Sequence, residues 1–323
     1  MNRIVILALA ALMSLPAHAA DKIGIFEMIH ESSVSFDETI RAIDTQIQTS
    51  GLLLHGSHVV RLPDTSHRAT VYVLSSPNYT DAAASESPRT VSAQVLRIAV
   101  FTQGESQKTY INMANPVAHA MVFYANSPNY DALIEAAGSA ADEIRQLVSA
   151  VPGIAHSQQI KPLRTEKHYN KYKGDGPARV MAKFRTWEKS QLVILEDDAT
   201  NFDAVVEKVT AALAGSTASD ATETTGWETI ARVRLREDVV YLGITNPFIE
   251  DKMVRINSRF RSDGNSDLAP YPGVDHLTAL PAEVLIVREG DETLVLHYGQ
   301  MWRMQLYFWD SGYRAFTANM GVP

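Results

Sequence analysis

The sequence predicts an α+β protein of two tandem two-layer domains, each with helices packed on a mainly antiparallel sheet. Three observations carry that reading. Leu280 to Tyr298 holds two apolar runs on either side of Glu289-Gly290-Asp291-Glu292, the pattern of a β-hairpin with a glycine in its turn. Upstream, Tyr241-Leu242-Gly243-Ile244 runs into Thr245-Asn246-Pro247, a strand stopped by a turn and a proline. The same order of events occurs once before, in the N-terminal half.

The first residues read as a targeting segment. Arg3 supplies a positive start, Ile4 to Leu15 is apolar except for Ser14, and Ala17-His18-Ala19 is a small-residue cleavage site. The run is too short to span a bilayer, so residues 1–19 are expected to be a cleaved signal peptide, with a mature chain beginning at Ala20 in the periplasm and no membrane anchor.

The chain has 323 residues, 46% hydrophobic and 20% charged, which suits two domains of about 100–150 residues with ordinary cores. It contains no cysteine, which excludes disulfides, thiolate metal sites, a cysteine nucleophile and a lipoprotein anchor. A net charge of −8 argues against nucleic acid as a partner.

Taken in order, Lys22 to Met28 alternates as a first strand. Ser35-Phe36-Asp37-Glu38 is a capping box, and Phe36, Ile40, Ile43 and Ile47 recur at helical spacing before Gly51. Leu52 to Leu62 and Ala69 to Leu74 are strands, the second ending at Ser75-Ser76-Pro77. Gln94–Phe101 and Lys108–Met113 form a hairpin. A short helix starts at Asn115-Pro116, and a longer one covers about 129–149 on Leu133, Ala137, Ala141 and Ile144.

The first domain is set at 20–150 and a connector at 151–189. From Lys161 to Lys189 the connector carries nine Lys/Arg against three acids, an excess of six in an acidic chain. Val180, Ala182 and Phe184 alternate there with charge. Screened surface pairs contribute only about 0–1 kcal/mol each, so the domains are expected to meet through apolar contacts, with Trp187 or Trp309 buried at the joint.

The second domain, 190–323, repeats the first. Gln191 to Glu196 is a strand, and Asn201-Phe202-Asp203 answers Ser35-Phe36-Asp37 at an offset of 166. Phe202, Val206, Val209 and Leu213 give the same helix face. Ser216 to Thr225 is a polar insertion, and Trp227–Arg236 and Val239–Ile244 are strands. Pro247 answers Pro77 at 170, and Met304 to Asp310 answers Ala120 to Asn126 at 184. Ordered offsets that grow only through loops are the mark of a duplicated domain.

Thr245-Asn246-Pro247, Leu280-Pro281, Glu289-Gly290-Asp291 and Tyr298 resemble the bacterial family known as domain of unknown function 302, over roughly 201–310. The first half, about 35–125, departs from the pattern: Ser75-Ser76-Pro77 lacks the Asn, and Ser92-Ala93 stands in place of Leu-Pro. The resemblance implies a compact α+β domain and no defined chemistry, so no catalytic residue carries over.

Several constellations were weighed for function. His55 and His58, with His67 beyond, converge on an extended strand only through a bulge at Gly56 and have no counterpart in the second half, so no metal site or cofactor is expected. Asp275-His276 and His297, with Ser262, Ser266 or Thr278 nearby, could be drawn as a hydrolase site, but no nucleophile elbow is present. Trp302, Tyr307, Phe308, Trp309, Tyr313 and Phe316 read as core and domain joint, or as a stacking site for a ligand. The helix after Pro247 sets Ile249, Met253, Ile256 and Phe260 on one face and Lys252, Arg255 and Arg259 on another. The strand before it aligns Arg232, Arg234 and Arg236 at period two. A solvated, salt-bridged face is the default reading of these positions, and an anion-binding surface is the functional alternative, with Arg232, Arg234, Lys252, Arg255 and Arg259 as its candidate residues. The expected function is a non-catalytic binding or interaction module for a small anionic ligand or a periplasmic protein. The alternative is a hydrolase using Asp275, His276 or His297.

Overall fold

The computed structural model describes residues 21–176, 187–198, 202–219, 224–261 and 270–312. Residues 1–20 with the expected signal peptide, the alternation at Val180–Phe184, Ser262, Ser266, Tyr313 and Phe316 lie outside them. The first half runs β1 (Phe26–Ser32), α1 (Phe36–Thr49), β2 (Leu53–Val59), β3 (Ala69–Ser75) and α2 (Pro77–Ala82). A 3-10 segment, Pro88–Ala93, follows, then β4 (Leu96–Gln103), β5 (Lys108–Ala114), α3 (Pro116–Phe123), α4 (Tyr130–Ser149) and β6 (Gly153–Ile160). Two single helical turns, α5 (Glu166–Tyr169) and α6 (Trp187–Ser190), belong to the connector. The second half begins with β7 (Gln191–Asp198), α7 (Phe202–Gly215) and a small ribbon, β8 (Thr217–Ser219) with β9 (Thr224–Gly226). It continues through β10 (Glu228–Arg236), β11 (Val239–Thr245), α8 (Pro247–Arg261), a 3-10 segment Val274–Ala279, β12 (Ala282–Glu289), β13 (Glu292–Tyr298) and α9 (Gln300–Phe308).

The first sheet has the order β2-β3-β4-β5-β1-β6 and the second β10-β11-β12-β13-β7. Every neighbouring pair is antiparallel, as the α+β expectation requires. With β6 set aside, the two orders are the same strand for strand. Phe36 and Phe202 both open the helix that follows the first strand of their half, and Pro77 and Pro247 open the helices that follow β3 and its counterpart β11.

Local chemistry explains four helix starts. Ser35 accepts from the Glu38 amide at 3.4 Å while the Glu38 carboxylate accepts from the Ser35 amide at 3.0 Å, the reciprocal capping box. Three helices begin with a polar cap followed by proline, whose missing N–H would have no partner there in any case. Ser76 accepts from Tyr79, Asn115 from Val117 and Ala118, and Asn246 from Ile249. Ser76-Pro77 thus opens a helix, where the sequence suggested only the end of a strand.

The halves share one core. In the first sheet, Glu27, Tyr72 and Ile98 lie on the face that carries α1 and α4, where Arg145 holds Glu27 at 2.9 Å and Asp44 accepts from the Tyr72 hydroxyl at 2.8 Å. The opposite face meets the second half: the Phe26 ring lies 4.8 Å from His276 and 5.9 Å from Tyr307, and Asn112 donates to the Asp275 carbonyl. The exchange is mutual. Val274–Ala279 packs on β4 and β5, while Pro88–Ala93 packs on β11 and β12. One apolar cluster accordingly runs from Ile43 through Val73 to Tyr241, Leu296 and Trp302, and a smaller one lies under α7 on the outer face of the second sheet.

Strands β2 and β10 abut at Gly56, where a Cβ would collide with the Ile230 backbone. Beside it, buried Glu250 accepts from the Arg61 amide at 2.8 Å and from Thr245 at 3.0 Å, and bonds His58 at 2.7 Å. Arg89 clamps Glu289 with two 2.6 Å bonds. The connector docks through one buried pair rather than through its summed charge. Arg164 grips Asp175 at 2.7 Å and donates to the Gln305 and Leu306 carbonyls of α9. Trp187 is buried against Phe123, as expected, whereas Trp309 is half-buried beside Gly176. The segment Gly153–Ile160, read from sequence as connector, is a strand of the first sheet.

Gly56→Ala should force β2 and β10 apart. Urea unfolding is expected to show a loss of about 1–3 kcal/mol, the range for overpacking a closed site; an unchanged midpoint would mean the strands separate at no cost.

Candidate functional site

The first half closes over its sheet with α4, whose Leu133, Ala137, Ala141 and Ile144 are buried and which packs on α1, α2 and α3. The counterparts of those three helices are α7, α8 and α9. Between them and the outer face of the second sheet lies an open cleft of about 310 Å³. Leu213 and Trp227 form one side, Ile249, Met253 and Ile256 of α8 another, and Met304 and Phe308 of α9 a third. Ile194, Ile244, Ala282 and Val284 form its sheet wall. Among the described residues no helix stands where α4 stands in the first half. The volume falls at the lower end of the range for small-molecule sites, and the lining is the apolar kind such sites use.

Four polar side chains reach this cleft: Lys252, Glu283, His297 and Arg303. Lys252 sits 5.2 Å above the Phe248 ring, and His297 bonds the Tyr298 carbonyl through Nδ1 at 3.0 Å. Arg303 pairs with Glu283 and donates to the Ala279 carbonyl at 2.8 Å. Burial pulls the Arg303 guanidinium below its usual value, with the charge of Arg97 adding to the shift.

The other arginines singled out from sequence do not gather at the cleft. Arg232 pairs with Glu207 at 2.8 Å and Arg234 with Asp203 at 2.7 Å, on the face toward α7. Arg255 holds Asp251 at 2.6 Å and Asp64 of the first half at 2.8 Å. The side chain of Arg259 lies outside the described residues. Asp275 and His276 adjoin, but His276 is 0% exposed, with Nε2 at 2.8 Å from Asp310 and Nδ1 at 3.1 Å from Asp275. That geometry makes an internal strut, while His297 belongs to the cleft wall. His55, His58 and His67 bond Ser75, Glu250 and Thr102 respectively, so they do not converge.

Sequence reasoning passed over a buried polar junction between the halves. Arg97 lies in an otherwise apolar strand and His119 within an apolar helix, and each was a visible interruption. Arg97 donates to His119 Nε2 at 2.7 Å and to the Tyr307 hydroxyl at 3.1 Å, and His119 Nδ1 donates to the Asn115 carbonyl at 2.8 Å. That bonding needs a neutral imidazole. Burial, reinforced by the Arg97 charge, lowers His119 from 6.5 to about 3.

Comparison with family models returns no match, and neither does comparison with curated proteins. A solved structure described as "uncharacterized conserved protein DUF302 from Bacillus stearothermophilus" aligns with 39% of this chain and 98% of its own. Its TM-score is 0.33 and the identity 17%. A likeness at that level carries no argument about function.

Between pH 6.5 and about 3 the unfolded chain binds a proton at His119 that the folded chain refuses, so stability falls as pH falls through that window. Stepped urea melts should show this as a slope of up to about 1.4 kcal/mol per pH unit. His119→Gln, which can still accept from Arg97, should flatten the slope; an equal slope in the variant would assign the proton elsewhere.

Proposed function

We propose that this chain is an exported, non-catalytic binding module built from two copies of one α+β unit, and that the second copy holds the ligand. The matching strand orders support the duplication, and the early apolar segment with Ala17-His18-Ala19 supports export. One observation carries the binding role: among the described residues, nothing occupies in the second half the groove that α4 fills in the first. The same scaffold appears once closed by its own helix and once with its apolar floor accessible.

The ligand is a small molecule with an apolar body and an anionic end. The apolar walls take the body, and Lys252 brings positive charge to the cleft, the charge of Arg303 being met by Glu283. The hydrolase reading has no comparable support, because His276 is enclosed between carboxylates and is not part of the cleft lining.

Calorimetric titration with octanoate and with octanol separates the two parts of the reading. Both should bind, octanoate more tightly, and Ile249→Trp should abolish both by filling the cleft. Lys252→Ala should cut octanoate affinity by about tenfold, equal to about 1.4 kcal/mol, and leave octanol unchanged. Binding that survives Ile249→Trp would move the site elsewhere, and no binding to the wild type would remove the small-molecule reading. Export has its own check: the intact mass from a periplasmic extract should correspond to a chain beginning at Ala20 or one residue later. A precursor mass found only with membranes would contradict it.

A further inference from the structure

β7 has one sheet neighbour, β13, and its other edge is open among the described strands. Its counterpart β1 has β5 on one side and β6 on the other. Both strands carry an extra residue at the corresponding place, Ile29 in β1 and Ile194 in β7. β6 follows β1 past that irregularity, pairing Ile160 with Phe26 and Gly153 with Ser32. The bulge therefore does not bar an outer partner.

The open edge is also apolar. Leu192, Val193 and Ile194 are 49%, 51% and 56% exposed. From Leu192 to Leu195 there is no proline, lysine or acid of the kind that guards natural sheet edges. Charge is placed asymmetrically along the strand: Lys189 precedes it and Glu196-Asp197-Asp198 end it. A parallel neighbour of the same sequence would set those acids against themselves. An antiparallel neighbour centred on Ile194 sets Ser190 opposite Asp198, Gln191 opposite Asp197, and Lys189 beside the acidic end.

We propose that β7 pairs antiparallel with β7 of a second copy of this chain, joining two five-stranded sheets across a twofold axis. The second copy supplies to β7 what β6 supplies to β1. Such an isologous contact closes on itself and leaves no edge to propagate. Ile194 at the centre of the seam also lines the cleft, whereas Val193 does not, so a substitution at Val193 reads the pairing without altering the cleft wall.

Sedimentation equilibrium of the mature chain over micromolar concentrations tests it. Wild type should be a dimer. Val193→Lys should raise the dissociation constant by at least about tenfold with an unchanged melting temperature, since the side chain is already half in solvent. Leu192→Arg serves as a second variant should the first fold poorly. Lys189→Glu should weaken the dimer as well, by adding an acid to an acidic end. A monomeric wild type, or a dimer untouched by both strand substitutions, would overturn the proposal. A dimer lost in Val193→Lys but unaffected by Lys189→Glu would overturn the antiparallel register, and a partner of different mass on the strand would overturn the second copy as occupant.

Discussion

The constraint on which the structure depends is that neither sheet can bury its inner face alone. Strand β3 is buried along its whole length, and so is β11. A strand apolar on both faces needs cover on both. Helices supply it on one side, and the opposite half supplies it on the other. At the centre of that contact, Tyr307 of α9 reaches Arg97 and His119 of the first half. In the other direction, Phe123 of α3 lies among Trp187, Tyr298 and Trp302 at 5.4 to 6.0 Å. Removing either half would expose a continuous apolar face on the other.

That mutual burial explains what the sequence disclosed and what it concealed. The capping box at Ser35 and Glu38, the hairpin turn at Gly290 with φ of +59°, and the X-Pro helix starts are local, so they were legible residue by residue. The α+β class followed from them. Strand β6 was not legible, because Gly153 to Ile160 includes His156, Ser157, Gln158 and Gln159 and lies on a sheet edge with most of its side chains wet. Its assignment comes from pairing with β1, which no periodicity reports. The 3-10 segments Pro88–Ala93 and Val274–Ala279 escaped for the same reason: each packs on the strands of the opposite half.

The candidate site was legible only in part. Ile249, Met253 and Ile256 were recognised as one helix face, and Lys252 as its charged neighbour. Of the carboxylates that hold the arginines near them, Asp251 is one helical turn from Arg255, whereas Asp64 reaches Arg255 from the other half and Asp203 and Glu207 reach Arg234 and Arg232 from α7, so pattern alone did not separate a salt-bridged face from an anion surface. What no pattern in one half could reveal is an empty place. The cleft is recognised by comparing the halves, since α4 packs in the first where no described helix stands in the second.

Differential scanning calorimetry of the mature chain tests the shared core most directly. If the two halves stabilise each other through the faces described, unfolding should be a single transition whose calorimetric and van't Hoff enthalpies agree to a ratio of about 1. Two resolved transitions, each with its own heat, would show that the halves stand independently and would contradict the account.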